Sequence, residues 1–208
     1  MTPIYADDAL LVFDKPGGLL AVPGRGPDKQ DCLSARAQAA WPDALIVHRL
    51  DMATSGLMLM ARGPAMQRAL SMAFAARTVT KRYIAVVAGR LAAPPDEWGT
   101  IDLPIMVDWP NRPLRIVDHG LGKPSQTRWR VLGYGDATTR VELEPVTGRS
   151  HQLRLHLREL GHPILGDALY APAAVQAMAD RLLLHAWSLR LAHPLTGLPL
   201  AFESPAPF

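Results

Sequence analysis

Residues 125–146, SQTRWRVLGYGDATTRVELEPV, decide the fold. Side-chain character alternates along 125–133 and again along 138–146, and β-branched residues are frequent in both runs. That period of two is the mark of a strand with one face buried. Gly133–Gly135 breaks the alternation between them, so the two runs predict an antiparallel pair. Working outward, 79–88 (VTKRYIAVVA) and 182–191 read as further strands. Residues 151–160 read as a helix with Leu153, Leu157 and Leu160 on one stripe. Strands outnumber helices and do not alternate regularly with them. The class implied is α+β with a mixed or mainly antiparallel sheet, not a doubly wound fold.

Toward the N-terminus the clearest helix starts at Pro64, a residue suited to the first helical position. Met66, Ala69, Leu70, Ala73 and Phe74 follow the spacing of one apolar face, and Gln67, Arg68, Ser71 and Arg77 lie off it. Met66 and Met72 read as core filling. Residues 4–13 are a short extended segment followed by an apolar strand. Lys15 through Pro27 is rich in Gly and Pro and must be loop. Residues 31–41 look helical with Asp31 as N-cap. Residues 45–47 and 56–61 are brief apolar runs, and 92–97 is a Pro-rich loop.

A chain of 208 residues suits one domain, 1–208, with a core large enough to need neither metal nor disulfide staples. Lys+Arg is 22 and Asp+Glu 19, a formal net charge of +3, too mild to prove a polyanionic partner. Only Lys15, Lys29, Lys81 and Lys123 are lysines. The arginine preference reads either as a coding bias or as a preference for the planar fork that suits phosphates and base edges. The lone Cys32 excludes an internal disulfide and a cysteine-based zinc site. With no apolar run of membrane length and no signal-like start, a cytoplasmic protein is expected.

Several chemistries fail on spacing. Gly120-Leu121-Gly122-Lys123-Pro124 lacks the first glycine and the hydroxyl of a P-loop. No Gly-x-Ser-x-Gly elbow exists, and Ser150-His151 are neighbours that cannot face each other on a helix. The histidines include no metal-binding i, i+4 pair, so no metal site is expected. Two clusters survive. In the first, an apolar strand ends in His48-Arg49-Leu50-Asp51, and apolar sequence resumes after Thr54-Ser55-Gly56. It reads either as a functional carboxylate or as an Arg–Asp pair beside a turn. In the second, Thr147-Gly148 opens a helix with Arg149 near its start. His151, Arg154 and Arg158 then make a cationic stripe, which reads either as an RNA-phosphate grip or as a solvated face.

These clusters resemble the signature of the RluA family of RNA pseudouridine synthases. His48-Arg49-Leu50-Asp51 with Thr54-Ser55-Gly56 is similar to the family's central motif. Asp8 through Leu20, with Lys15-Pro16 and Gly18, resembles its first motif, and Lys81-Arg82-Tyr83 its Lys-x-Tyr motif. Gly148 through Arg154 resembles its third motif. Gly161-His162-Pro163-Ile164-Leu165-Gly166-Asp167 and Leu184-His185-Ala186 follow in family order. Met52-Ala53, the segment Asp108–Pro113 and the lack of an S4-like domain point to the dual-specificity members. Those members modify an anticodon stem-loop uridine of tRNA and a hairpin-loop uridine of 23S rRNA.

The resemblance implies the pseudouridine-synthase fold, a long mixed, mainly antiparallel sheet with flanking helices and a central cleft. It implies an isomerase with Asp51 as catalytic carboxylate, Arg149 as its cationic partner and Tyr83 stacked on the base. Lys15 and Pro16 are expected to support that ring, and Lys15 and His48 to belong to the RNA-facing set. Arg49 is expected to fill the space of the flipped uridine. Arg154 and Arg158 are expected on RNA phosphates, and Ile164 and Leu165 as walls of the base pocket. His151 and Gln152 are expected to be structural. Structured RNA (tRNA, 23S rRNA) is the expected partner, with no cofactor, no metal, no membrane and a monomeric state. The alternatives are an inactive RNA-binding protein on the same scaffold, a member acting on only one of tRNA or rRNA, and a metal-free hydrolase using Asp51.

Overall fold

The computed structural model describes all 208 residues. The chain forms two compact units: Met1–Lys81 with His185–Pro207, and Arg82–Leu184 with Phe208.

The first unit is built on β2 (Leu10–Lys15) and β4 (Ser55–Arg62), antiparallel from Leu10↔Ala61 to Lys15↔Gly56. The short β1 (Tyr5–Ala6) lies on β2, and β3 (Ala44–Ile46) on β4. From the far end of the sequence, β11 (Leu184–Ala192) runs parallel to β4 at His185↔Ser55 and Ala186↔Gly56. β12 (Pro199–Glu203) folds back antiparallel on β11. β4 is buried along nearly its whole length, which explains why its sequence is an apolar run without alternation. Helix α2 (Gly63–Ala75) covers one face. Its Leu70 is buried with Leu10, Val12, Leu57, Leu59, Leu189 and Leu191, and Met66, Ala73 and Phe74 pack beside it. Met72 departs from the expectation: it is 65% exposed, because it falls off this face.

Helix α1 (Leu33–Gln38) is capped by Cys32, whose Sγ accepts the Ala35 amide at 3.4 Å. Asp31, the expected cap, is engaged instead by the Arg36 guanidinium at 2.7 Å. That charge-assisted fork is the stronger partner for a carboxylate.

The second unit contains most of β5 (Thr80–Ala88), then β6 (Gly99–Asp102), β9 (Gln126–Tyr134) and β10 (Thr138–Pro145). β10 is antiparallel to both β5 and β9, and β6 closes on β9. The predicted hairpin is therefore present, with a register shift at Arg140/Val141. β7 (Ile105–Val107) and β8 (Arg115–Val117) form a separate hairpin. Helix α3 (Gln152–Glu159) follows β10, and a short α4 spans Ala173–Gln176. α3 is buried nearly all round, from Gln152 to Leu157. Leu155 is in the core and Leu160 is 36% exposed, so the apolar stripe is not the expected 153/157/160 one. All pairings within the two units are antiparallel except β4 with β11, so the sheet is mixed. No helix is long and apolar enough to cross a membrane.

Candidate active site

In the first unit Asp51 opens a turn, Asp51-Met52-Ala53-Thr54, closed by the Thr54 amide on the Asp51 carbonyl at 3.1 Å. Aspartate is a favoured first residue of such a turn. Both flanks are fixed. On one side, Lys15 is fully buried and its ammonium donates to the carbonyls of Pro16, Leu19 and Met52 at 2.9, 2.8 and 3.1 Å. The Gly18 amide also donates to Met52 O, at 2.8 Å. On the other side, Ser55 Oγ lies 2.8 Å from His185 Nδ1, and His185 Nε2 lies 3.0 Å from the Ser204 carbonyl. A carbonyl only accepts, so His185 Nε2 carries the proton. Nδ1 then accepts from the Ser55 hydroxyl. Gly56, at φ +112°, lies so close to β11 that a Cβ would sit 2.3 Å from Ala186 O. Asp51 itself is half-buried, and Arg49 is exposed.

Lys15 is thus a buried post for the Asp51 turn rather than an RNA contact. The reason is chemical: an ammonium in the interior needs several acceptors, and three carbonyls supply them. His48 is likewise occupied. Its imidazole stacks on Phe74 at 4.7 Å and Nε2 accepts the Leu59 amide at 2.8 Å. Burial, aided by the charge of Lys81, pushes its pKa down to about 3, so it stays neutral. Burial also lowers the pKa of Lys81.

In the second unit Tyr83 is half-buried on β5 opposite Leu143. Arg149 is exposed, and its Nη2 lies 3.5 Å from Pro124 O. The turn that carries Arg149 is organised by Gln152. Its Oε1 accepts from the Arg149 amide at 2.9 Å and Thr147 Oγ1 at 2.8 Å. Its Nε2 donates to Gln126 O and Thr127 Oγ1 at 2.9 and 3.0 Å. His151, in a left-handed conformation at φ 59°, lies 2.7 Å from the Tyr170 hydroxyl. Burial raises the pKa of Tyr170.

The expected cationic stripe on α3 does not exist as such. Arg154 is buried and holds Asp167 through two hydrogen bonds. Its side chain lies inward because Asp167 is fully buried and must be neutralised there. Arg158 remains partly accessible, beside Glu159, and His151 is half-buried. Ile164 and Leu165 are also interior. Leu165 accepts from Leu183 and donates to Val86 at 3.0 Å each, so this segment backs β5 rather than presenting a wall to solvent. Sequence reading missed the roles of Ser55, Asp167 and Tyr170. The available signals were a polar residue opening an apolar strand and an acid in a Gly-Asp turn.

Comparisons with known proteins place the chain in a family. The family model described as RNA pseudouridylate synthase matches residues 9–159. The chain is 48% identical over 206 residues to the dual-specificity RNA pseudouridine synthase RluA of Escherichia coli (strain K12), covering 99% of this chain and 93% of that one. It is 49% identical over 209 residues to the enzyme of the same name from Yersinia pestis, spanning all of both chains. Among solved structures, human RNA pseudouridylate synthase domain containing 1 matches with TM-score 0.79 and 29% identity, covering 100% of this chain and 84% of that one. The human domain containing 4 matches at 0.76 and 27%, covering 99% and 88%. The chain belongs to the RNA pseudouridylate synthase family. Within it the likeness is to the RluA group, and the activity class is that of an RNA-modifying isomerase.

Proposed function

We propose that this protein isomerises specific uridines of structured RNA, one in the anticodon stem-loop of tRNA and one in a hairpin loop of 23S rRNA. The observation that carries the reading is the near-full-length likeness to dual-specificity RNA pseudouridine synthases. Asp51 is the catalytic carboxylate, acting on uridine while the N1–C1′ bond breaks and the C5–C1′ bond forms. The C5 proton leaves and N1 gains one, so the reaction balances without oxidant or reductant. Tyr83 stacks on the uracil and lies near the departing C5 proton. Arg149 is the residue this reading assigns as the cationic partner of the catalytic carboxylate. Arg49 fills the space that the flipped nucleotide leaves in its loop, which lowers the cost of extraction. Arg158 contacts phosphate. Ile164 and Leu165 support the pocket from behind through β5.

The test is tritium release from RNA carrying 5-tritiated uridine, with tRNA and 23S rRNA supplied separately. Release from both supports dual specificity. Release from one restricts the substrate. No release from either, with RNA binding intact, replaces the reading with that of an inactive RNA binder.

A further inference from the structure

We infer that the tip of the β7–β8 hairpin is a stacking platform for an unpaired nucleobase of the substrate RNA. The inference rests on RNA being the substrate, as proposed above. Trp109 is 62% exposed. The exposed indole offers an open π-face on which a base can stack. One side is already occupied: the Arg112 guanidinium lies 3.7 Å from the ring. A cation over one side of an indole, with the rest of the ring open, is the arrangement that holds a nucleobase in single-stranded recognition.

The platform is rigid. Asp108 accepts the Asn111 amide and side-chain nitrogen, at 3.0–3.3 Å. The Asp108 amide donates to Leu114 O at 3.1 Å, and Leu114 returns a bond to Asn111 O at 3.0 Å. Asp108 is therefore used inside the tip rather than presented as a repelling charge. The base of the hairpin is tied to the turn region that carries Arg149. The Arg115 amide donates to the Tyr170 hydroxyl at 2.9 Å, and that hydroxyl lies 2.7 Å from His151. Ile105 is buried with Leu155 of α3 and Tyr170, with Leu114 and Val117 packed against them. A base stacked on Trp109 is thereby held at a fixed distance from Arg149.

The partner is RNA rather than an apolar protein surface because of what surrounds the indole. Arg112 lies over the ring, and its neighbours Pro110 and Asn111 are exposed and offer no further large apolar side chain. Asp118, at the base of the hairpin, is used by the Gly120 and Leu121 amides at 2.9 and 2.8 Å.

The experiment uses an anticodon stem-loop RNA oligonucleotide and the full chain. Stacking on Trp109 predicts quenching of tryptophan fluorescence on RNA addition that is diminished in Trp109→Phe. Trp109→Ala is expected to bind about five- to hundred-fold more weakly, and Trp109→Phe to stay within a few-fold of wild type. Wild-type protein that binds and isomerises the RNA while Trp109→Ala binds it equally well overturns the platform and leaves the proposed function standing. Wild-type protein that does not bind stem-loop RNA overturns the functional reading, and the platform with it. Weakened self-association or loss of a protein partner in Trp109→Ala, with RNA affinity unchanged, also overturns it.

Discussion

Arg154 and Asp167 form a buried two-point ion pair, Nε to Oδ2 at 2.8 Å and Nη2 to Oδ1 at 2.6 Å, with side-chain exposures of 5% and 0%. Asp167 also accepts the amides of Leu169 and Tyr170 at 2.9 and 3.1 Å. The pair thus pins the 167–170 segment, and Tyr170 with it, onto α3.

Removing one partner of such a pair strands the other. Arg154→Ala is expected to destabilise the protein by about 3–5 kcal/mol in urea unfolding. Arg158→Ala is expected to stay within about 0.5 kcal/mol of wild type. It should nevertheless flatten the salt dependence of RNA binding by close to one counterion. An Arg158→Ala slope equal to wild type returns that residue to a solvated helix face.

Lys15→Met removes the donor that three carbonyls share. The expected cost is at least about 2 kcal/mol, together with a fall in turnover larger than the loss of RNA affinity. The reason is that Met52 O, one of those carbonyls, belongs to the Asp51 turn. Urea midpoints, single-turnover rates and filter binding on the same preparation separate the two effects. Wild-type turnover in a folded Lys15→Met would detach the post from the chemistry.

Asp51→Asn keeps the size of the side chain and removes its charge. It should abolish tritium release, leave the thermal midpoint nearly unchanged and retain most RNA affinity. Residual turnover near wild type would exclude the carboxylate from the reaction.

Acid should weaken the fold through His48. Its ordinary value is 6.5 and its folded value about 3, so below pH 6.5 the unfolded chain binds a proton that the native state refuses. Stability is then lost as pH falls from 6.5 toward 3, with a limiting slope of about 1.4 kcal/mol per pH unit. Urea midpoints at pH 7, 6 and 5 should show the decline, and His48→Gln should show a shallower one.

The period-two stretches were legible because β9 and β10 keep one face buried, and α2 because a single apolar stripe meets the sheet. β7, β8 and β12 were not, since three- to five-residue strands carry too few alternations to stand out. The two polar clusters, His48–Asp51 and Thr147–Arg158, stood out by pattern, and the roles assigned within them came through resemblance alone. What failed was the assumption that charge marks surface. Lys15, His48 and Arg154 are polar by type, yet each is enclosed by partners far along the chain, such as Met52, Leu59 and Asp167. Spacing within one helix or loop carries no trace of such partners. Cys32 capped α1 in place of Asp31 for a local reason: Arg36, on the same helix, drew the carboxylate away.

The first unit is interrupted in sequence, with Ser55 and His185 joined at a sequence separation of 130. On the ribosome, β4 emerges long before the parallel strand that buries its edge has been translated. The inserted second unit, nearly continuous from Arg82 to Leu184, has all its strands available first. Vectorial synthesis therefore favours order in the inserted unit while the segment bearing Asp51 waits for the arrival of β11. A stalled or prematurely terminated chain would carry Asp51, Tyr83 and Arg149 and still lack the strand that seats the Asp51 turn. Truncated products of this gene would lack turnover altogether rather than be partly active.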